Sequence, residues 1–221
     1  MNPKFVSTGT SSRNIQSYNT ISLQPYFTSP YRDAHMALNV EGTKLYVFES
    51  KGPEHNYGYF DLASKIFRPL GVLNIEGGLV QASFNPYGQL YISSTSANEI
   101  FVMDNPDVPN SQVSYGSVKI AGTNKVVNIA GADMAFDKDG SFFLATHGHG
   151  GAIFTVSGLA NHLVARRVGS VNTQGKITGL AIMEAGGGSL LYSSKDALGM
   201  YMVHLDDPDN HEFLPFDSTF T

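Results

Sequence analysis

The chain has 221 residues, of which only 15% are charged, against roughly 25% in ordinary soluble domains; Gly (23) and Ser (22) fill the gap, while the hydrophobic fraction is 42%. A formal charge of -5 argues against nucleic acid as a partner, because that affinity rests on Lys and Arg neutralising phosphates. With no Cys at all, disulfide scaffolds, thiolate zinc sites and cysteine nucleophiles are excluded.

The chain opens on MNPKFVS, which lacks the apolar stretch of a secretory signal, and no apolar run reaches the roughly 18–20 residues of a membrane helix, so neither a signal peptide nor membrane insertion is expected. Residues 1–32 carry Lys4, Arg13 and Arg32 and no Asp or Glu, giving +3 against -8 for residues 33–221. This divides the chain into a basic polar arm (1–32) and an acidic body (33–221). Residues 17–27 (SYNTISLQPYF) alternate like one strand. The expectation is that the arm closes the body by pairing with its last strands, covering an exposed edge, or docks to a partner or a second copy, with Lys4, Arg13, Tyr18, Tyr26, Phe27 and Arg32 as its contact residues.

From residue 33 onward the chain repeats. DAHMALNVEGTKLYVF from Asp33, LVQASFNPYGQLYIS from Leu79, GADMAFDKDGSFFLA from Gly131 and ITGLAIMEAGGGSLLYSS from Ile177 share one pattern: alternating apolar residues, a turn ending in Gly, then an apolar-aromatic pair. Those pairs (Leu45-Tyr46, Leu90-Tyr91, Phe142-Phe143, Leu191-Tyr192) are spaced 45, 52 and 49 residues apart. Period-2 alternation with Gly at the turn predicts a hairpin in each unit. A third strand fits Tyr57–Asp61, Glu99–Asp104, Ala152–Val156 and Met200–Asp206, and a fourth fits Lys65–Val72, Gln112–Ile120, His162–Ser170 and His211–Phe216. The run from Asp206 to Asn210 is expected to be an acidic surface turn. Four strands per unit of about 47 residues predict an all-β chain: a small β-propeller of four, alternatively five, four-stranded antiparallel blades led by an extended arm.

In its "apolar-x-F-x-x-x-G-x-L-Y" hairpins the body resembles β-propeller repeat proteins, in particular NHL, TolB-like and SMP-30/gluconolactonase-like propellers, over about residues 33–221. The pattern encodes a hairpin rather than a chemistry. The first strand of a blade lines the central channel, which places His35, Gln81, Asp133 and Thr178 at one channel mouth. The resemblance implies a metal there in the gluconolactonase-like case, with Asp133 and His35 serving a metal-dependent lactonase or esterase. Ca²⁺ wants 6 to 8 oxygen ligands, more than these positions supply.

His147-Gly-His149 follows the second strand of the third unit. If extended, it would project both imidazoles to one side, a possible ligand pair for a divalent metal and the sole cofactor expectation; the alternative is a Gly-rich loop that tolerates His. No G-x-S-x-G, H-E-x-x-H or P-loop motif is present. Aromatic residues read as lying in turns or the arm (Tyr18, Tyr26, Phe27, Tyr31, Tyr57, Tyr87, Tyr115) suit a binding surface. The expected function is a non-catalytic structural or binding propeller that docks to a neighbouring subunit or scaffold. By compositional analogy the setting is a virion or the cell surface. The alternatives are the lactonase/esterase and a lectin-like glycan-binding propeller.

Overall fold

The computed structural model describes residues 5–8, 14–19, 22–31, 34–50, 54–149, 151–171, 176–183, 189–194 and 199–215, and for residues 5–27 it describes the backbone only. Lys4, Arg13 and Arg32 lie outside these residues, as do Gly186–Gly188, where a turn is expected. Strands β1 (Phe5–Thr8), β2 (Asn14–Asn19) and β3 (Ser22–Thr28) pair antiparallel with one another. The alternation across residues 17–27 therefore belongs to two strands, and they pair locally.

Four blades follow. The first is β4 (Ala34–Leu38), β5 (Lys44–Glu49), β6 (His55–Asp61) and β7 (Ile66–Leu73). The second is β8 (Leu79–Phe84), β9 (Leu90–Ser94), β10 (Glu99–Met103) and β11 (Val113–Gly116). After β12 (Lys119–Ile120) comes the third, β13 (Ala132–Phe136), β14 (Phe142–Thr146), β15 (Ala152–Ser157) and β16 (Val164–Gly169). The fourth is β17 (Ile177–Met183), β18 (Ser189–Ser194), β19 (Gly199–His204) and β20 (Asp207–Pro215). Each is an antiparallel meander in chain order, so the protein is an all-β, four-bladed propeller with a three-stranded sheet ahead of it.

The hairpin between the first two strands of a blade is built the same way three times. Asn39, Asn85 and Asp137 each end the first strand, and their side-chain oxygens accept two backbone N–H groups across the turn: Thr43 and Lys44, Tyr87 and Gln89, Asp139 and Ser141. Gly42, Gly88 and Gly140 close these turns at φ +67°, +84° and +88°, where a Cβ is disfavoured.

Apolar residues on alternate sides of each strand weld neighbouring blades. Tyr46, Phe48 and Tyr57 meet Leu90 and Ile92 between the first and second. Ile100 and Val102 meet Phe142, Leu144 and Phe154 between the second and third. Phe143 and Ala145 meet Leu190, Tyr192 and Val203 between the third and fourth. Leu45, Val47 and Phe60 are buried on the first blade's far side. Among the described residues no core cluster joins the fourth blade to the first.

Three boundaries differ from the sequence expectation. The stretch 112–120 is two strands: β11 ends at Gly116, and β12 crosses to pair parallel with β16, capping the third blade's outer edge. Burial of Val118, Val127 and Ile129 holds that crossing segment down. The acidic run from Asp206 is a turn only at its start, since β20 begins at Asp207. In the fourth blade the residue equivalent to Leu45, Leu90 and Phe142 is Leu190, one position before the expected Leu191: Leu190 pairs with Ile182 and faces the third blade together with Tyr192.

Candidate functional site

The positions expected at the channel mouth fall in equivalent places of their hairpins. His35 pairs with Phe48, Gln81 with Ser93, Asp133 with Ala145 and Gly179 with Ser193. Thr178 sits in a bulge between Ile177 and Gly179, so Gly179 holds the equivalent place in the fourth blade. His35 reaches the next blade only through Ser50, whereas Asp133 bonds both its own strand and the neighbouring blade. His35 Nε2 lies 3.2 Å from Ser50 Oγ, which donates to the Leu79 carbonyl of the next blade at 2.8 Å. Asp133 Oδ1 accepts the Met134 N–H at 2.7 Å, and its carboxylate also accepts the Leu180 N–H of the fourth blade. With only 6% of Asp133 exposed, burial pushes its carboxyl up to about 7 despite these two donors. His55 pins the first joint in the same manner, its Nδ1 facing the Glu49 carbonyl at 2.9 Å and its Nε2 the Gly77 carbonyl at 2.6 Å.

His147 and His149 are in a turn, not in extended backbone. The Gly151 N–H bonds the His147 and Gly148 carbonyls, and His149 takes φ +55°. His149 Nε2 accepts the Asn128 N–H at 3.1 Å, while His147 Nδ1 is buried without a hydrogen-bond partner. Among the described residues no group of three or more His, Asp or Glu is placed to hold a metal ion.

Of the aromatic set assigned to loops, Tyr57 is fully buried in β6 and donates to the Pro106 carbonyl at 3.2 Å. Tyr31 packs on Phe67 and Tyr115 on Tyr91. Tyr87, by contrast, is 74% exposed. It stands on the rim of a cleft of about 480 Å³ between the first and second blades, formed by hairpin residues Asn39–Lys44 and Phe84–Gly88 and by Asp104–Asp107. Sequence reasoning missed this cleft because its walls come from three loops far apart in the chain.

The cleft floor is a charged knot. Asp107 accepts Lys44 Nζ at 2.5 Å and the Tyr46 hydroxyl at 2.7 Å, and Lys44 Nζ lies 4.5 Å from the Tyr59 ring centroid. Partial burial works to raise the Asp107 carboxyl, but these two donors outweigh it and hold the group below its ordinary value. Burial first, and Asp107 second, push the Tyr46 hydroxyl far above its ordinary value, so it stays a donor.

A second exposed feature is the fourth blade's outward face. Residues alternate along its strands, and those turned from the third blade include Ala181, Met183, Met200 and Met202; Ala181 is exposed, Met183 is 36% exposed and the other two are half-buried.

No family model matches this sequence, nor does any curated protein. Solved structures do. A Bacteroides thetaiotaomicron protein of unknown function superposes with TM-score 0.64 at 10% identity over 93% of this chain and 56% of that one. A nidogen/laminin complex gives 0.64 at 11% identity over 93% and 76%. A putative gluconolactonase gives 0.59 at 12% identity over 91% and 70%. This chain thus spans little more than half of the first of these. At such identities the likeness shows the fold, and the similar structures, which also include streptogramin B lyases and TolB, are β-propeller proteins.

Proposed function

We propose that this chain is a non-catalytic binding and assembly propeller that docks to a neighbouring subunit through its N-terminal segment and the outward face of its fourth blade. The observation that carries this reading is that face: Ala181, Met183, Met200 and Met202 present apolar surface on the blade that, among the described residues, no core cluster joins to the first. Apolar sheet surface on a polar protein marks a contact site. The bonds of His35 and Asp133 support the non-catalytic half, since both side chains engage groups that fasten blades together. The low charge and the Ser and Gly content fit a virion or cell-surface setting.

The test is sedimentation and light scattering of the full chain, of a chain lacking residues 1–32, and of Met202→Glu. The full chain should exceed its 23.9 kDa monomer mass at tens of micromolar, as expected for protein interfaces of modest affinity, and both variants should fall to the monomer, Met202→Glu with unchanged circular dichroism and the truncated chain, which loses β1–β3, still melting cooperatively. A monomeric full chain, or association that survives both changes, overturns self-docking. Stoichiometric divalent metal in the purified protein, lost in Asp133→Ala, would instead favour the lactonase/esterase alternative.

A further inference from the structure

We infer that the cleft between the first and second blades is a binding site for a neutral, hydroxyl-rich ligand of hexose size. Its volume, about 480 Å³, falls within the usual range for small-ligand sites. The inference stands apart from the assembly reading, because the cleft lies between two blades that are packed together and shares no residue with the fourth blade.

Three observations converge. First, the rim holds an exposed aromatic ring whose position is fixed. The Tyr87 hydroxyl donates to the Asp139 carbonyl at 3.2 Å, and its ring lies against Gly140, where a Cβ would come within 2.9 Å of Tyr87 Cε2. Tyr87 thus leans on the third blade's hairpin while 74% of the residue stays exposed, and an exposed ring held in place is a platform for the C–H face of a sugar ring, whose hydrogens are drawn to the negative face of the π-system. Second, planar amides and carboxylates surround it: Asn39, Asn105, Glu41 and Asp104 line the cleft. A carboxylate has about four acceptor sites over its two oxygens, and the bonds from Gln89 Nε2 to Asp104 at 2.6 Å and from Asn39 Nδ2 to Glu41 at 2.7 Å leave capacity for hydroxyl donors.

Third, charge selects the ligand class. Glu41, Asp104 and Asp107 face one ammonium, Lys44, which Asp107 already neutralises. A phosphate, sugar acid or nucleotide would enter a net negative cleft and be repelled. The cleft therefore suits a polyol that donates hydroxyl hydrogens to acceptors, with the aromatic wall supplying shape.

The experiment titrates the full chain with methyl glycosides of glucose, galactose, mannose and N-acetylglucosamine, read by saturation-transfer NMR and calorimetry, with spermidine as a cationic probe and a printed glycan array alongside. At least one glycoside should bind, and Tyr87→Ala and Asp104→Asn, both at exposed positions, should each weaken it at least tenfold while the folded circular dichroism spectrum is kept. Silence across glycosides and array overturns the inference, as does glycoside binding that both variants leave intact. Spermidine binding that excludes glycosides makes this a cation site and overturns it too.

Discussion

A buried carboxyl joins the third blade to the fourth, and it should write itself into the pH dependence of stability. Asp133 has its folded-state value raised to about 7 by burial, so between about pH 4 and 7 the folded protein holds a proton that the unfolded chain has released. Its contribution is then complete below about pH 4 and is lost as pH rises through about 7, at about 1.4 kcal/mol for each pH unit crossed. Asp133→Asn keeps a carbonyl oxygen for the Met134 and Leu180 N–H groups and removes the titration. Melting curves at pH 5 and pH 8 should show wild type losing stability relative to this variant, and parallel shifts in both proteins would sink the account. Asp133 pairs with Ala145, a register that local hairpin spacing dictates. Its burial was not legible, since the Leu180 N–H reaches it from a strand more than 40 residues away.

At the scale of the element, three hairpins were readable because one short motif specifies them: an Asn or Asp whose side chain bonds the turn, then Gly. Asn85 tests this. It is 5% exposed, accepts from Tyr87 N at 3.1 Å and Gln89 N at 2.9 Å, and donates to Gln89 Oε1 at 2.7 Å. Asn85→Ala should cost about 1–3 kcal/mol by orphaning these groups and should loosen Tyr87, so chemical denaturation and glycoside titration should both register it. Asp139→Ala, in the neighbouring turn and exposed, should stay within about 0.5 kcal/mol. Equal costs would mean that the side-chain bonds do not hold the turn. What the motif could not disclose is which sheet a strand joins. Residues 112–120 alternate without a visible break, yet Lys119 and Ile120 leave for the third blade, a choice set by the buried crossing segment around Val118 and Val127. The one-residue slip to Leu190 has a similar origin: two leucines in succession offer the same local pattern, and only contact with Phe143 and Ala145 across the joint decides between them.

For the whole molecule, repeat spacing disclosed the number of blades but not how the series ends. A stack of repeats draws its stability from nearest-neighbour interfaces. The second and third blades are packed on both faces, through the clusters around Ile92, Phe154 and Phe143. The first has Val47 and Phe60 buried on its far side as well. Among the described residues, the fourth buries Leu190, Tyr192 and Val203 on one face and leaves Met183 exposed on the other. Local opening follows the number of packed faces, so the amides of β18 and β19 should exchange with solvent before those of β9 and β10 or of β14 and β15, the second and third strands of their blades. Hydrogen-exchange mass spectrometry of the monomeric Met202→Glu chain reads this directly. Equal protection in the fourth and second blades would mean that the fourth is covered on both sides, and the docking surface argued from its outward face would then have no free area to offer. Slower exchange in β18 and β19 of the unmodified chain as its concentration rises would instead mark that face being covered by a partner.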